Sequence, residues 1–299
     1  MAINLSEIPY HKSGFVNIIG KPNVGKSTLM NKLVGENISI ITSKAQTTRH
    51  RILGMLNGED FQIVYSDTPG ILKPQYELHK SMMQSVRLSV EDADILLLMV
   101  EIFEKVDKEL LDPILRRTEG KIILLLNKID LVKDTREIEE KISIWKSYHN
   151  FDTIIPVSAL IGTNLDQVLK EILNHLPIHP PYYPKDQLTD KPERFFASEI
   201  IREKIFQTYK QEIPYSTEVI ITDFKEEESI IKMRAEIYVE RNSQKGILIG
   251  KGGSALKKIG TEARKDLEAF FDKQVYLEQY VKVEKDWRRR KNKLNQFGY

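Results

Sequence analysis

The sequence contains no cysteine among its 299 residues. This absence excludes disulfide bonds and thiolate metal sites. The fold therefore loses no stabilising bond in a reducing compartment. Long apolar runs are also missing, since Ile95–Val100 and Ile122–Leu126 are far shorter than the roughly 20 residues that span a bilayer. Met1–Ser13 lacks the apolar stretch of a signal sequence. The expected location is the cytoplasm.

The charge balance differs between the two halves of the chain. The net charge is +2, but residues 191–299 carry 23 Lys and Arg against 18 Asp and Glu. The C-terminal part therefore has the sign expected of a region that meets nucleic acid or an anionic surface.

Short apolar runs alternate with amphipathic segments from Phe15 to Leu176. This alternation predicts an α/β fold with a mostly parallel sheet and helices on both faces. Four prolines between Pro177 and Pro184 then exclude a helix interior or a central strand. After them the order becomes helix, two strands, two helices and a strand, which indicates a second, α+β domain. We predict domains at 1–180 and 194–299, the latter with a basic C-terminal tail, joined by a proline-rich linker at 181–193.

A glycine-rich loop follows the first predicted strand and opens a helix. Its spacing, Gly-x4-Gly-Lys-Ser, is that of a phosphate-binding loop whose backbone N–H groups surround phosphate oxygens. Lys26 is expected to reach the β- and γ-phosphates, and Ser27 to bind Mg²⁺. The predicted contacts are Gly20, Lys21, Pro22, Asn23, Val24, Gly25, Lys26, Ser27 and Thr28.

A second motif, Asp67-Thr68-Pro69-Gly70, follows the apolar run Phe61–Ser66. Alone this motif is as typical of a β-turn as of a metal site. After a phosphate loop, however, it indicates an acidic residue near Mg²⁺. Gly70 would donate its N–H to the γ-phosphate and move once that phosphate has left.

The polar segment Ser43–Arg51 lies where the other nucleotide-sensing loop is expected. We assign Thr48 as the residue that completes the Mg²⁺ shell. A solvated loop with incidental threonines remains an alternative for this segment.

Asn127-Lys128-Ile129-Asp130 ends another apolar strand and predicts guanine as the base. The Asp130 carboxylate can accept hydrogen bonds from N1–H and the 2-amino group of guanine, and adenine offers no such pair of donors. Asn127 would tie this loop to the phosphate loop, while the Lys128 stem covers the base. Ser158 and Ala159 follow the next strand, where a backbone N–H can donate to the guanine O6.

The expected chemistry is GTP hydrolysis by positioning and charge neutralisation, with Lys26, Thr48 and Gly70 as the contributing residues. Many GTPases carry a glutamine directly after the switch glycine, and here that position is Ile71. We therefore expect slow intrinsic hydrolysis. Asn23 either helps to hold K⁺ against the phosphates or bonds the loop itself, and both interpretations stay open.

Gly250-Lys251-Gly252-Gly253 joins two predicted helices in the C-terminal domain. Such a loop often only ends a helix. Between these elements, however, it indicates the Gly-x-x-Gly clamp of KH domains, which holds about four nucleotides. The predicted RNA contacts are Gly246, Ile249, Gly250, Lys251, Gly252, Gly253, Lys257, Lys258, Arg288 and Arg289. Trp287 could stack on a base, although anchoring the tail is the commoner role.

Taken together, the motifs resemble the Era family of bacterial GTPases over essentially the whole chain. Three further segments carry the resemblance: Lys44–Arg49, Val239–Gly246 and Asp286–Arg288. It implies a phosphate-loop GTPase domain followed by a type II KH domain. It also implies binding to the 3′ end of 16S ribosomal RNA, a role in 30S subunit assembly, and peripheral association with the inner membrane. We expect a monomer, with the first dozen residues as an unmatched extension.

Two other classes of function compete with an RNA-binding GTPase switch. One is an RNA-modifying enzyme with an accessory GTPase domain, but the absence of cysteine argues against its commonest chemistry. The other is a membrane-associated scaffold GTPase whose basic tail contacts lipid.

Overall fold

The structure is a computed structural model that describes residues 10–42 and 44–299. Most of the predicted N-terminal extension and Ser43 therefore lie outside the described residues. The chain forms two compact units. The first contains residues 10–39, Thr48–Lys73 and Met82–Asp190, and the second contains Ile40–Thr47, Pro74–Ser81 and Lys191–Tyr299.

A six-stranded sheet forms the centre of the first unit, in the order β2-β3-β1-β4-β5-β6. Neighbouring strands are parallel except for β2, which runs antiparallel to β3. The strands are β1 (Lys12–Ile19), β2 (Ile52–Asn57), β3 (Phe61–Asp67), β4 (Ile95–Glu101), β5 (Lys121–Asn127) and β6 (Thr153–Pro156). The helices that accompany them are α1 (Lys26–Val34), α2 (Glu77–Glu91), α3 (Lys108–Leu115), α4 (Thr135–Tyr148) and α5 (Leu165–His175). The predicted α/β architecture is confirmed.

Strands β4 and β5 are buried along six of their seven residues. Such continuous apolar sequences are typical of strands covered on both faces of a parallel sheet. The loops that follow β1, β3, β5 and β6 consequently meet along one edge, where α/β sheets bind ligands. The four sequence motifs occupy these loops.

Residues 181–190, the strap, lie along β2, a strand that the sequence analysis did not predict. The Met55 N–H donates to the Leu188 carbonyl over 2.8 Å, and the Leu53 N–H donates to Asp190 over 2.9 Å. The Thr189 hydroxyl donates to the Leu53 carbonyl over 2.7 Å. The strap therefore covers backbone groups that an edge strand would otherwise expose.

A three-stranded sheet, ordered β7-β8-β9, forms the centre of the second unit. Strand β8 is antiparallel to β7 and parallel to β9. Its alternating pattern turns Ile231, Met233, Ala235, Ile237 and Val239 into the core. The elements are α6 (Glu193–Thr208), α7 (Glu212–Ser216), β7 (Glu218–Glu226), β8 (Ile230–Val239), α8 (Asn242–Ile249), α9 (Ser254–Phe271), β9 (Gln274–Val283) and α10 (Lys291–Gln296). This order agrees with the prediction, apart from the short helices α7 and α10.

The predicted basic tail is anchored to the second unit. Trp287 is fully buried, and its indole N–H donates to the Ser216 carbonyl over 2.9 Å. Its ring packs on Phe297, just beyond α10, at a centroid distance of 5.4 Å. Trp287 is therefore a tail anchor rather than a base-stacking residue. None of the helices in residues 10–42 and 44–299 has the length and hydrophobicity of a membrane span.

Candidate nucleotide site and RNA-binding loop

The phosphate loop between β1 and α1 depends on the absence of side chains at its glycines. A Cβ on Gly20 would lie 2.2 Å from the Met99 carbonyl oxygen, a backbone atom that cannot rotate away. Gly25 has φ 106°, a conformation that favours glycine. Both glycines predicted from the spacing are thus required by the local geometry.

The Lys26 side chain folds over this loop. Its ammonium donates to the carbonyls of Gly20 over 3.1 Å and Lys21 over 2.9 Å. Burial lowers the pKa of Lys26 to about 8, although Asp67 and Glu104 act in the opposite direction. Phosphate oxygens would supply the negative charge that the buried ammonium needs.

Three oxygen-bearing side chains meet beside Lys26. The Ser27 hydroxyl donates to Asp67 Oδ2 over 2.6 Å and lies 3.0 Å from the Thr48 hydroxyl. Thr48 donates to the same carboxylate oxygen over 3.3 Å. The structure thus brings together the three residues predicted to bind Mg²⁺.

The Asp67 carboxylate also has one oxygen atom that could bind a metal ion. Its Oδ1 atom is buried and accepts no hydrogen bond from the described residues. Burial raises the pKa of Asp67, while Lys26 and the Ser27 hydroxyl partly oppose that rise. A hard cation bound through oxygen ligands would satisfy the orphaned oxygen and favour the charged carboxylate. One carboxylate and two hydroxyls fit Mg²⁺ of the phosphate-loop type.

The Asp67–Gly70 motif and Ile71 pack directly on the phosphate loop. The Ile71 N–H donates to the Gly20 carbonyl over 3.0 Å. A Cβ on Gly70 would lie 2.6 Å from the Pro22 backbone, and the Thr68 hydroxyl donates to the Ile18 carbonyl over 2.7 Å. Ile71 is only 5% exposed and Pro69 is buried. The Ile71 side chain brings no polar group to the site.

Asn127 connects the loop that is predicted to read the base to two others. Its amide donates to the Val24 carbonyl over 2.6 Å, and its carbonyl accepts from the Ala159 N–H over 2.9 Å. The Ser158 hydroxyl donates to the Asp130 carboxylate. These bonds join the motifs after β1, β5 and β6, as predicted for Asn127.

Lys128 belongs to the same loop and has φ 69° and an ion pair with Glu101. Two further acidic residues near the phosphate loop were missed from the sequence. Lys21 forms ion pairs with Glu104 at 3.0 Å and with Asp107 at 3.2 Å. Both acids follow the end of β4, at the edge where the motifs lie, and this position was the available signal.

The glycine loop between α8 and α9 is open to solvent. Gly250, Gly252 and Gly253 have φ values of 72°, 59° and 80°. A Cβ on Gly252 or Gly253 would meet nothing within 4 Å, whereas one on Gly250 would lie 2.7 Å from Ala255. Lys251 and Gly252 are exposed. The loop therefore presents backbone and one cation to the solvent.

The other predicted RNA contacts fall into two groups. Ile249 is partly buried against the core of the second unit. Arg288 is half-buried, ion-paired with Glu240 and placed over the Tyr76 ring at 5.0 Å, so its charge is already engaged. The more accessible members are Gly246, Lys257, Lys258 and Arg289.

Two family descriptions match the chain in separate regions. A family described as "50S ribosome-binding GTPase" matches residues 15–128, and one described as "KH domain" matches residues 212–288. The chain is also 45% identical to GTPase Era of Staphylococcus haemolyticus over 292 residues, which cover 97% of each sequence.

Two solved structures resemble the whole fold. One is a crystal structure of Era in complex with MgGDPNP and nucleotides 1506–1542 of 16S ribosomal RNA. It has a TM-score of 0.93 and 40% identity, covering 97% of this chain and 99% of the other. The other is a variant of Aquifex aeolicus Era, with one tyrosine replaced by alanine, bound to GDP·AlF4⁻. It has the same TM-score and 41% identity, with 96% and 99% of the two chains covered.

Proposed function

Because the chain belongs to the Era family of GTPases, we propose that it is a GTP-dependent switch that binds the 3′ region of 16S ribosomal RNA during 30S subunit assembly. The observation that carries the nucleotide part is the position of Asn127. Its amide joins Val24 of the phosphate loop to Ala159 of the base-reading edge, so one residue holds both ends of a nucleotide site.

Base recognition is assigned to the Asp130 carboxylate. Ser158 donates to this carboxylate and fixes its orientation in the free protein. Guanine then supplies two further donors, N1–H and the 2-amino group, to the same group. Adenine would leave the carboxylate without those partners. A site that requires hydrogen-bond donors strongly rejects a ligand that lacks them.

Hydrolysis is assigned to positioning and charge neutralisation rather than to a general base. Lys26 and the phosphate-loop N–H groups hold the phosphates, and Gly70 lies against Pro22, where its N–H would meet the γ-phosphate. Ser27, Thr48 and Asp67 would hold Mg²⁺, which neutralises charge on the β- and γ-phosphates. The apolar Ile71 cannot orient water, which supports a slow intrinsic rate.

RNA binding is assigned to the exposed loop Gly250–Gly253. Its glycines let a nucleic-acid backbone approach, while Lys251 adds positive charge. The description of the matching GTPase family names the 50S subunit, whereas the RNA in the solved relative is 16S ribosomal RNA of the small subunit. We favour the small subunit because that relative matches nearly the whole chain. Inner-membrane association stays a prediction without further support.

The nucleotide assignment is tested with Asp130→Asn. An amide can donate to the 2-oxo group of xanthine, which a carboxylate repels. We expect GTP affinity to fall by about 100-fold and XTP affinity to rise above it. Titrations with GTP, XTP and ATP measure this directly, and an unchanged preference for GTP would remove the base-reading role from Asp130.

The RNA assignment is tested with two oligonucleotides of equal length and charge. One carries the 3′ end of 16S RNA and the other a single-stranded segment of 23S RNA, both titrated at one fixed salt concentration because phosphate contacts are salt-dependent. We expect tighter binding to the 16S oligonucleotide. Equal binding to both, or binding only to anionic lipid vesicles, would instead support one of the competing functions.

A further inference from the structure

The segment Ile40–Thr47 belongs to the second unit, although its neighbours in sequence belong to the first. It directly precedes Thr48, the residue assigned to Mg²⁺. Whatever holds the main chain at Thr47 therefore influences Thr48 through a single peptide bond.

The main chain at Thr47 is held by Arg202 of helix α6. Arg202 is 1% exposed, and its Nη2 donates to the Thr47 carbonyl. Its Nε donates to Glu199 over 2.7 Å, and its guanidinium lies 5.2 Å from the Phe206 ring centroid. Burial alone would lower the pKa of Arg202, but the Glu199 carboxylate raises it above its usual value, so the group stays charged.

A second cation holds the same segment. The Lys44 ammonium donates to the carbonyls of Phe206 and Tyr209 at the C-terminal end of α6, where a helix favours positive charge. The Thr47 hydroxyl donates to the Lys44 carbonyl over 2.8 Å and closes the turn between these anchors. The segment is thus attached to one helix at two points.

Fold stability alone does not explain the Arg202 arrangement. A buried ion pair is often no more stabilising than apolar residues of similar volume. The Nη1 atom of Arg202 is buried and has no acceptor among the described residues. The guanidinium is directed instead at one backbone carbonyl, next to the residue whose hydroxyl reaches Ser27 and Asp67.

We propose that Arg202 is a positioning residue for Thr48, which it orients toward Ser27 and Asp67 by fixing the Thr47 carbonyl, so that preference for GTP over GDP depends on Arg202. The inference rests on the proposed function, because it requires Thr48 to bind Mg²⁺ in the GTP-bound protein. Arg202 would act through Thr47 and Thr48 rather than by binding the nucleotide or the metal.

The first test is Arg202→Leu, with affinities measured for fluorescent GDP and a fluorescent non-hydrolysable GTP analogue at saturating Mg²⁺. We expect the analogue to bind about tenfold more weakly, while GDP affinity changes by less than about twofold. The control is Arg194→Leu on the same helix, where the guanidinium lies over Phe224 at 5.9 Å. This control should change neither affinity.

A double-mutant cycle with Thr48→Ala separates positioning from general stabilisation. If Arg202 acts through Thr48, Arg202→Leu should cause no further loss of analogue affinity once Thr48 is alanine. Amide hydrogen exchange at Thr48 and Arg49 in the analogue-bound protein should also become faster in Arg202→Leu. Additive losses in the cycle, with unchanged exchange, would overturn the proposal.

Arg202→Lys covers the case in which the leucine variant does not fold. Lysine keeps the charge beside Glu199 but lacks the planar fork, so analogue affinity should still fall while GDP affinity is retained. An equal loss of affinity for both nucleotides in a folded variant would contradict positioning.

If Thr48→Ala alone leaves analogue affinity unchanged, the metal assignment of the proposed function fails first. If Thr48→Ala weakens binding and Arg202→Leu does not, only the present inference fails.

Discussion

The two glycine loops of this chain use glycine for different physical reasons. In the phosphate loop, Gly20 is needed for space, because a Cβ there would lie 2.2 Å from a backbone oxygen. In the loop Gly250–Gly253, for which we propose RNA binding, Gly252 has open space around it but requires φ 59°. The first loop is a packed cradle whose shape is set by its neighbours. The second is an exposed turn whose shape is set by backbone conformation.

The lysines of the two loops differ in the same way. Lys26 is 6% exposed, donates to two loop carbonyls, and has a pKa lowered to about 8 by burial. Lys251 is exposed. Protonation should therefore control binding at the first loop, whereas salt should control binding at the second.

The largest effect is expected for Gly20→Ala. The added Cβ cannot be accommodated without moving the main chain at Met99, so we expect a loss of about 3 kcal/mol in the free energy of unfolding. GTP affinity should fall by more than about 100-fold, or roughly 2.7 kcal/mol. Denaturant melts and nucleotide titrations measure the two effects.

Gly35→Ala is the matched control for space in the first unit. Gly35 has φ 87° and nothing within 4 Å of an added Cβ, so only about 1–2 kcal/mol of backbone strain is expected. GTP affinity should be retained. If Gly20→Ala behaves like Gly35→Ala, the packed-cradle description is wrong.

The next largest effect is expected at Gly252, where two substitutions of similar shape differ in charge. Asparagine and aspartate both tolerate the left-handed conformation of this residue. The two variants should therefore unfold alike, but Gly252→Asp should bind RNA about tenfold more weakly than Gly252→Asn at low salt. Increasing the salt concentration should reduce this difference. Equal RNA affinities at low salt would exclude a phosphate contact at this loop.

A pH dependence should appear at the phosphate loop. The free protein loses the Lys26 proton above a pKa of about 8, whereas bound phosphates favour the charged form. GTP affinity should thus fall with pH above 8, by up to about tenfold per unit. The unfolded lysine keeps its proton up to about 10.5, so stability of the nucleotide-free protein should rise with pH between these values.

Calorimetric titrations between about pH 7 and pH 9.5 test whether GTP affinity falls as the pH rises. Denaturant melts over the same range test whether the free energy of unfolding of the nucleotide-free protein increases. Lys26→Arg should abolish the pH dependence of GTP affinity, whatever the affinity of this variant, because arginine does not lose its proton in this range. A slope that persists in this variant would assign the pH dependence to another group.

The smallest effect is expected for Lys251→Gln. Loss of one exposed phosphate contact should reduce the salt slope of RNA binding by about one, with a modest loss of affinity. Lys273→Gln is the control, because Lys273 is already paired with Glu226. An unchanged salt slope in Lys251→Gln would remove Lys251 from the RNA contact.

The arrangement of the candidate nucleotide site was predictable because each motif is local in sequence and follows a strand end. The roles of Asn127 as a link and of Gly20 as part of a tight loop both follow from spacing and residue type. Edge strand β2 was missed because it pairs with β3 on one side, while its outer edge is covered by Leu188 and Thr189, more than 130 residues away.

Other features depend on contacts that have no local signal. Arg202 looks like an ordinary helical arginine until the fold places it against the Thr47 carbonyl. Arg288, which we predicted as an RNA contact from the basic cluster, is paired with Glu240 and Tyr76. Its role in RNA binding remains a prediction, whereas the tail anchor at Trp287 is confirmed.

The most direct test of the switch is a linkage measurement on the unmodified protein. One oligonucleotide carrying the 3′ end of 16S RNA is titrated against the GDP-bound protein and against the protein bound to a non-hydrolysable GTP analogue, at fixed salt. We predict that RNA binds more tightly to the analogue-bound protein than to the GDP-bound protein. By linkage, bound RNA should raise the affinity for the analogue relative to GDP by the same factor. Equal RNA affinities in the two states would leave two independent binding units on one chain and contradict the switch.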